Sequence, residues 1–275
     1  MSDERYLFER EYELIPFQEE DLGLKKKKGV LSMGKNNYYE KPKETTISTP
    51  LGISKYIFDT IHNYFRFSNN LKYVLDVGCG RGNLTYFFNK NANYFCIGID
   101  KTKIFLEDNA NVSIKQEIDF LTTTTKNESI DIILCNPPWN NPKNLENNKN
   151  LPENIELSEE TMNKYSKKFE MYNSTLYPYI FLRHIFEIYG YRRPVVLLSP
   201  FGFLYNNDVN SHRYEWIRDN GAKITNITIL PKNIFKQVKY PAQILFFNIF
   251  GLEPVTFLEE KYINPTLFDL EGFNA

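Results

Sequence analysis

An α/β fold built on a parallel, doubly wound sheet is predicted by three stretches of this 275-residue chain. Val74-Leu75-Asp76-Val77 reads as a buried strand that stops where Gly78, Gly80 and Gly82 begin, and an apolar helix is expected from Leu84-Thr85 onward. Strand, glycine turn and helix make the opening unit of a nucleotide-binding sheet. Residues 94–100 read as a second parallel strand ending in an acid. Residues 130–135 read as a central strand, halted by Pro137 and Pro138, which cannot donate to a ladder.

Composition narrows the class. Hydrophobic residues make up 42% and aromatics 16% of the chain, enough for a sizeable core and too many for a disordered segment. The abundance of Asn, Lys, Ile and Tyr has the look of AT-biased coding, so single Asn or Lys residues carry little information. A net charge of −1 supplies no global attraction to nucleic acid, and any such surface must be a local patch. Cys79, Cys96 and Cys135 fall in or beside expected strands and read as reduced, buried thiols. With His62, His184 and His212 they show no metal-ligand spacing, so no metal is expected. The charged N-terminus lacks a leader-like apolar region, and no run approaches the ~18 apolar residues of a membrane span. A soluble protein with no membrane partner is expected, in the cytoplasm, or in the nucleus of a eukaryote.

Residues 1–45 form a charged, irregular N-terminal arm in which Lys25-Lys26-Lys27-Lys28 reads as a solvated loop, or as a phosphate-contacting arm if it borders the active cleft. Pro50 can open a helix continued by Leu51, Ile53, Tyr56, Ile57 and Ile61 at helical spacing. The glycine turn has the spacing Gly-x-Gly-x-Gly, with Asp76 two positions before Gly78. A carboxylate there repels phosphate and favours a cationic ligand, held against bare backbone at Gly78 and Gly80. Asp100 follows Asp76 by 24 residues (100 − 76). That is close to the spacing of about 20 between a glycine turn and a ribose-binding acid. Its carboxylate can accept hydrogen bonds from both ribose hydroxyls; capping of the next turn is the alternative. Residues 112–118 read as a third strand running into Asp119-Phe120.

Beyond the central strand, residues 140–172 read as a long loop insertion, a lid or recognition loop or else an ordinary surface loop. A helix over 177–189, strands at 194–199, 224–230 and 242–250, and a helix around Trp216-Ile217-Arg218 follow.

These motifs together carry a family resemblance. The stretch 74–83 resembles motif I of the S-adenosylmethionine-dependent methyltransferases, whose ligand carries an ammonium and a sulfonium. Asn136-Pro137-Pro138-Trp139 resembles motif IV of methyltransferases that act on a planar amino group, and Thr49-Pro50 is similar to motif X. The order X, I, IV, followed by Pro200-Phe201-Gly202-Phe203-Leu204, resembles the gamma-type adenine-N6 methyltransferases over roughly 46–250. The resemblance implies a Rossmann-like doubly wound, seven-stranded methyltransferase sheet. It also implies S-adenosylmethionine as cofactor and methyl transfer to the exocyclic N6 of adenine, in DNA rather than RNA. Thr49 and Pro50 would meet the methionine end of the cofactor, Asp119 its adenine amino group, and Phe120 its ring. That amino nitrogen shares its lone pair with the ring and is a poor nucleophile. The Asn136 side-chain oxygen and the Pro137 carbonyl can accept its hydrogens, Pro138 stiffens the turn, and Trp139 offers a face for a base drawn out of its helix.

One feature departs from the family pattern. Residues 251–275, read as a C-terminal tail, are too few for a separate target-recognition domain. Sequence recognition then falls to a partner subunit, or to the insertion and the N-terminal arm, unless the substrate is not duplex DNA. An RNA adenine, a protein glutamine amide, or an idle methyltransferase-like module that only binds nucleic acid are the other readings.

Overall fold

The computed structural model describes residues 48–124, 129–139, 167, 171–172, 174, 176–202, 204, 213–232, 234–235, 238, 241–266 and 270. The N-terminal arm with its four lysines and the body of the 140–172 insertion lie outside the described residues, as does part of the stretch after Pro200.

Helix α1 (Leu51–Phe65) leads into strand β1 (Lys72–Val77). After the glycine turn come a short α2 (Tyr86–Asn89) and β2 (Tyr94–Asp100). Next are α3 (Lys103–Asp108), β3 (Ile114–Glu117), a 3-10 turn (Phe120–Thr122) and β4 (Ile132–Cys135). The second half comprises α4 (Tyr177–Tyr189), β5 (Val195–Pro200), α5 (Arg213–Asp219), β6 (Ile224–Ile229), β7 (Ala242–Phe247), β8 (Val255–Phe257) and α6 (Glu260–Ile263).

The strands form one sheet in the order β3-β2-β1-β4-β5-β7-β6-β8. Strands β1 to β5 pair in parallel, and β7 runs antiparallel to both β5 and β6. The chain works outward from β1 through β2 to β3, then crosses back to place β4 on the other side of β1. Ligands bind such sheets at the carboxyl ends of the strands flanking that reversal. Here Val77 pairs with Cys135, so the glycine turn and the Asn-Pro-Pro-Trp turn leave neighbouring strands at the same level.

Both faces of the sheet are covered, which is why β4, β5 and β7 are buried throughout and largely apolar. Ile53, Ile57, Phe58 and Ile61 of α1 join Val74, Ile132, Leu134, Val196, Leu198, Ile244 and Phe246 in one buried cluster. On the opposite face Phe186 of α4 meets Phe247 edge-on at 5.4 Å. Helix α4 spans the expected 177–189, opened by Pro178 and ended by Gly190 at φ 89°.

The differences from expectation are short elements. The helix after the glycines has only four residues, and β7 stops at Phe247, before Asn248 takes φ 59°. An eighth strand extends the expected seven: β8 pairs in parallel with β6. The stretch after 250 is therefore tied into the sheet. Asn226 donates to the Glu253 carbonyl (2.6 Å) and the Thr256 hydroxyl (2.7 Å), and Tyr262 of α6 donates to Asp59 of α1 (2.7 Å). Two partly buried residues and an exposed Phe257 have no hydrophobic period to betray a strand.

Candidate active site

The glycine turn faces inward with its donors. The N–H groups of Gly78 and Cys79 both reach the Ile99 carbonyl, at 2.8 and 3.0 Å, and Gly82 N–H reaches the Cys79 carbonyl at 2.9 Å. Gly80 N–H donates to Asp100 Oδ2 at 2.9 Å. A phosphate-binding loop needs such groups pointing outward; here four of them are spent on the fold. Gly78 and Gly80 hold φ of 72° and 51°, and a Cβ on either would enter open space. Gly82 differs: its φ is 77° and a Cβ would lie 2.1 Å from Asn109 Oδ1. Asn109, fully buried, donates to the Gly80 carbonyl at 3.1 Å and clamps the turn from below.

Asp76 is 1% exposed, and neither carboxylate oxygen has a hydrogen-bond partner. Burial, reinforced by the field of Asp100, pushes its carboxyl up to about 8. An orphaned buried carboxyl under an open backbone cradle fits a ligand that brings positive charge, because a nearby cation would stabilise the ionised form. The three thiols are all buried and unbridged. Burial first and then the Asp76 charge raises Cys96 to about 12 and Cys135 well above its ordinary value, so both stay protonated.

Asp100 lies at the end of β2, where Oδ1 accepts Thr102 N–H at 2.8 Å while Oδ2 holds Gly80. Each oxygen keeps a further lone pair. Asp119 Oδ1 accepts Leu121 N–H at 3.1 Å and caps the 3-10 turn. The ring of Phe120 is 3% exposed, stacked on Phe181 at 6.0 Å and edge-on to His184 at 5.0 Å.

At the end of β4 the Asn136 side chain reaches back across the sheet: its Nδ2 donates to Thr49 Oγ1 at 3.0 Å. Asn83, just past the glycines, donates from its own Nδ2 to the Thr49 carbonyl, also at 3.0 Å. The segment before α1, the glycine turn and the Asn-Pro-Pro-Trp turn thus meet at Thr49, itself 4% exposed. Pro50 caps α1 and its carbonyl accepts Ser54 N–H at 3.1 Å. Pro138 is exposed, whereas Trp139 is 3% exposed, its ring edge-on to Phe235 at 5.5 Å. The structure thus gathers Asn83 and Asn136 on Thr49, and Asp100 and Asn109 on Gly80, while Phe120 and Trp139 are sealed into the packing. Asn83 and Asn109 escape sequence reasoning because nothing distinguishes them from the many other asparagines of this chain. Among the described residues no group of three His, Cys, Asp or Glu could hold a metal ion, and no helix is long and apolar enough to cross a membrane.

A sheet wound about β1, with a glycine turn and a second polar turn on adjacent strand ends, is a Rossmann-like fold with its candidate site at the reversal point. Two solved structures share the fold. One is a protein of Listeria monocytogenes assigned to the class I S-adenosylmethionine-dependent methyltransferases (13% identity, TM-score 0.53), matched over 78% of this chain and 68% of that one. The other is the type IIG restriction endonuclease BpuSI (14% identity, TM-score 0.52), matched over 76% of this chain but only 26% of that one. No curated protein sequence matches the chain. The model of the N-6 DNA methylase family matches residues 83–253, more than half of its length, and the chain belongs to that family. It is a methyltransferase whose cofactor is S-adenosylmethionine.

Proposed function

We propose that the chain methylates the exocyclic N6 of adenine in DNA. The observation that carries the reading is the seating of Asn136-Pro137-Pro138-Trp139 beside the glycine turn, on strands paired through Val77 and Cys135, with Asn136 bonded to Thr49. The family description supports DNA over RNA.

S-adenosylmethionine supplies an electrophilic methyl group when bound. Gly78 and Gly80 offer the backbone cradle, Asp76 the compensating charge, and Asp100 the acceptors for ribose hydroxyls. Thr49 and Pro50 border the methionine end, and Asp119 with Phe120 the adenine end. Asn136 Oδ1 and the Pro137 carbonyl accept the two hydrogens of the target amino group and draw its lone pair out of the ring as the nitrogen turns tetrahedral. No strong base is required, since the nitrogen becomes acidic only after it has gained the methyl group, and its proton can then pass to water. Pro138 stiffens the turn, and Trp139 becomes a stacking face once the target ring displaces what covers it. The protein's part is placement and electrostatics. A partner subunit supplying sequence recognition fits this reading.

Tritiated-methyl transfer from S-adenosylmethionine to duplex DNA, single-stranded DNA, total RNA and protein, followed by nucleoside analysis, tests it. Label recovered as N6-methyladenine in DNA is expected. Label confined to RNA adenine or to glutamine replaces the substrate assignment. Cofactor binding with no transfer to any of the four makes the chain an idle binding module.

A further inference from the structure

We infer that Asn109 is a positioning residue for the cofactor, because it fixes the orientation of the Gly80–Arg81 peptide and so the direction in which the Arg81 N–H is offered. The inference rests on the reading of the glycine turn as the cofactor cradle.

Gly82 N–H reaches the Cys79 carbonyl at 2.9 Å and closes a four-residue turn with Gly80 and Arg81 at its centre. Gly80 holds φ 51° and Arg81 does not share its positive φ, the turn type that favours glycine at its first central position. Rotating the central peptide gives the related turn with positive φ at both central residues. The Arg81 Cβ disfavours that alternative, and Asn109 opposes it directly. The Gly80 carbonyl accepts Asn109 Nδ2 at 3.1 Å, and Asn109 Oδ1 accepts the Asn111 N–H at 2.8 Å. A backbone carbonyl can only accept and a backbone N–H can only donate, so these partners leave the amide one orientation. Nδ2 also lies 3.5 Å from Cys79 Sγ. The amide rests against Gly82, where a Cβ would meet Oδ1 at 2.1 Å and Nδ2 at 2.8 Å. Because Asn109 is fully buried, the Gly80 carbonyl points into the protein. A trans peptide then aims the Arg81 N–H the opposite way, and no atom of the described residues accepts it. The Arg81 side chain is drawn aside onto α3, 3.3 Å from Asp108 Oδ2, with its guanidinium 5.1 Å from the Phe105 ring centre. The N–H groups of Gly78, Cys79, Gly80 and Gly82 serve the fold, whereas that of Arg81 is left for an oxygen acceptor of the cofactor.

The test applies calorimetry and thermal melting to Asn109→Leu, Asn109→Asp, Arg81→Ala and Arg81→Pro. Asn109→Leu keeps the bulk and loses the bond, so its affinity for S-adenosylmethionine should fall about tenfold, the scale of one lost hydrogen bond. Asn109→Asp keeps the acceptor for Asn111 but sets a second oxygen against the Gly80 carbonyl. That oxygen repels the carbonyl when ionised and donates to it when protonated. Asp76 of β1 and Asp100 of β2 act on Cys79, which Asn109 touches, and the Arg81–Asp108 pair lies beside the turn. Burial and these acids should hold the proton on the new carboxyl above the ordinary carboxylate range. The affinity of Asn109→Asp should therefore match that of Asn109→Leu in alkaline buffer and recover towards wild type in mildly acidic buffer. Taking its ratio to wild type at each pH removes the Asp76 dependence common to both proteins. Arg81→Pro deletes the N–H and suits a residue of negative φ; it should bind the cofactor about fivefold or more weakly than Arg81→Ala, which deletes only the side chain. An Asn109→Leu protein that melts lower yet binds the cofactor as the wild type does overturns the inference and leaves Asn109 a brace for the fold. So does an Asn109→Asp ratio that is the same at every pH, or an Arg81→Pro protein that binds as tightly as Arg81→Ala. Gly80→Ala, measured alongside, separates the two levels. If it binds the cofactor normally, the cradle reading falls and takes the inference with it, whereas a weakened Gly80→Ala beside a normal Asn109→Leu removes the inference alone.

Discussion

Asp100 Oδ2 accepts the Gly80 N–H at 2.9 Å, so the acid at the end of one strand holds the glycine turn at the end of its neighbour. On the proposed reading, a carboxylate in this position has two tasks, one facing the protein and one facing a ligand. It holds the Gly80 peptide at φ 51°, and its remaining lone pairs are those the proposal gives to a ribose.

The double role changes what an Asp100→Ala substitution should do. Losing two charge-assisted bonds from backbone N–H groups, at 2.9 and 2.8 Å, should cost about 1–3 kcal/mol of stability. Affinity for S-adenosylmethionine should fall at least tenfold, on the order of one lost bond to a charged acceptor. Thermal melting and calorimetry on the same preparation check the pair; unchanged affinity would remove Asp100 from the cofactor site.

The three glycines of the turn should not respond alike. Gly80→Ala places its Cβ in open space and carries only the cost of positive φ, about 1–2 kcal/mol. It should fold and bind the cofactor poorly. Gly82→Ala drives its Cβ to 2.1 Å from Asn109 Oδ1, so it should unseat the clamp beneath the turn and lose stability first. Comparing melting temperatures with cofactor affinity for the two variants separates the cases. Equal destabilisation would mean that Asn109 gives way freely.

Asp76 predicts a pH dependence. Its carboxyl, raised by burial and then by Asp100 from an ordinary 3.8 to about 8, holds a proton in the native state that the unfolded chain has already shed. The native state therefore binds the extra proton between about pH 4 and 8, and its contribution to stability falls as pH rises through that window. Affinity for a cationic ligand runs the other way, rising up to about pH 8 as the carboxylate forms and levelling off above it. Calorimetry near pH 7 in buffers of different ionisation enthalpy should detect proton release of up to about one per cofactor bound. Asp76→Asn should abolish that share of the release, and an Asn variant with the same release as wild type refutes the assignment.

Asn136 and Trp139 should part company. Asn136→Ala should leave the cofactor affinity nearly unchanged and slow single-turnover methylation by ~10²–10³, the scale of one acceptor or donor realised in the transition state. Trp139→Ala removes a ring that is 3% exposed and packed on Phe235, so it should cost about 3–5 kcal/mol of stability besides weakening substrate binding. Trp139→Phe should recover much of both. Denaturant unfolding of the Trp139 variants, set beside single-turnover rates for all three, distinguishes a loss of chemistry from a loss of packing.

Short-range patterns carried a large part of this molecule. Apolar runs bounded by glycine, proline and strand-end acids mark β1, β2, β4 and β5. The spacing of Pro178 and Gly190 bounds α4, and the residue types at 76–80 and 136–139 mark the turns that end β1 and β4, because turn geometry and strand burial are decided within a few residues. Tertiary structure alone decided the long connections. Asn136 and Thr49 are 87 residues apart, and Tyr262 meets Asp59 across 203, and no local pattern encodes a partner at that distance. The same holds for Trp139, an aromatic that reads equally well as an open stacking face or as core until Phe235 is seen against it. It holds too for β8, whose three residues become a strand only because β6 offers an edge. Which polar group becomes an anchor depends on the winding of the sheet. Tyr73 of β1 and Asp131, the residue before β4, are 58 positions apart, and that winding sets the two strands side by side and brings the two turns together.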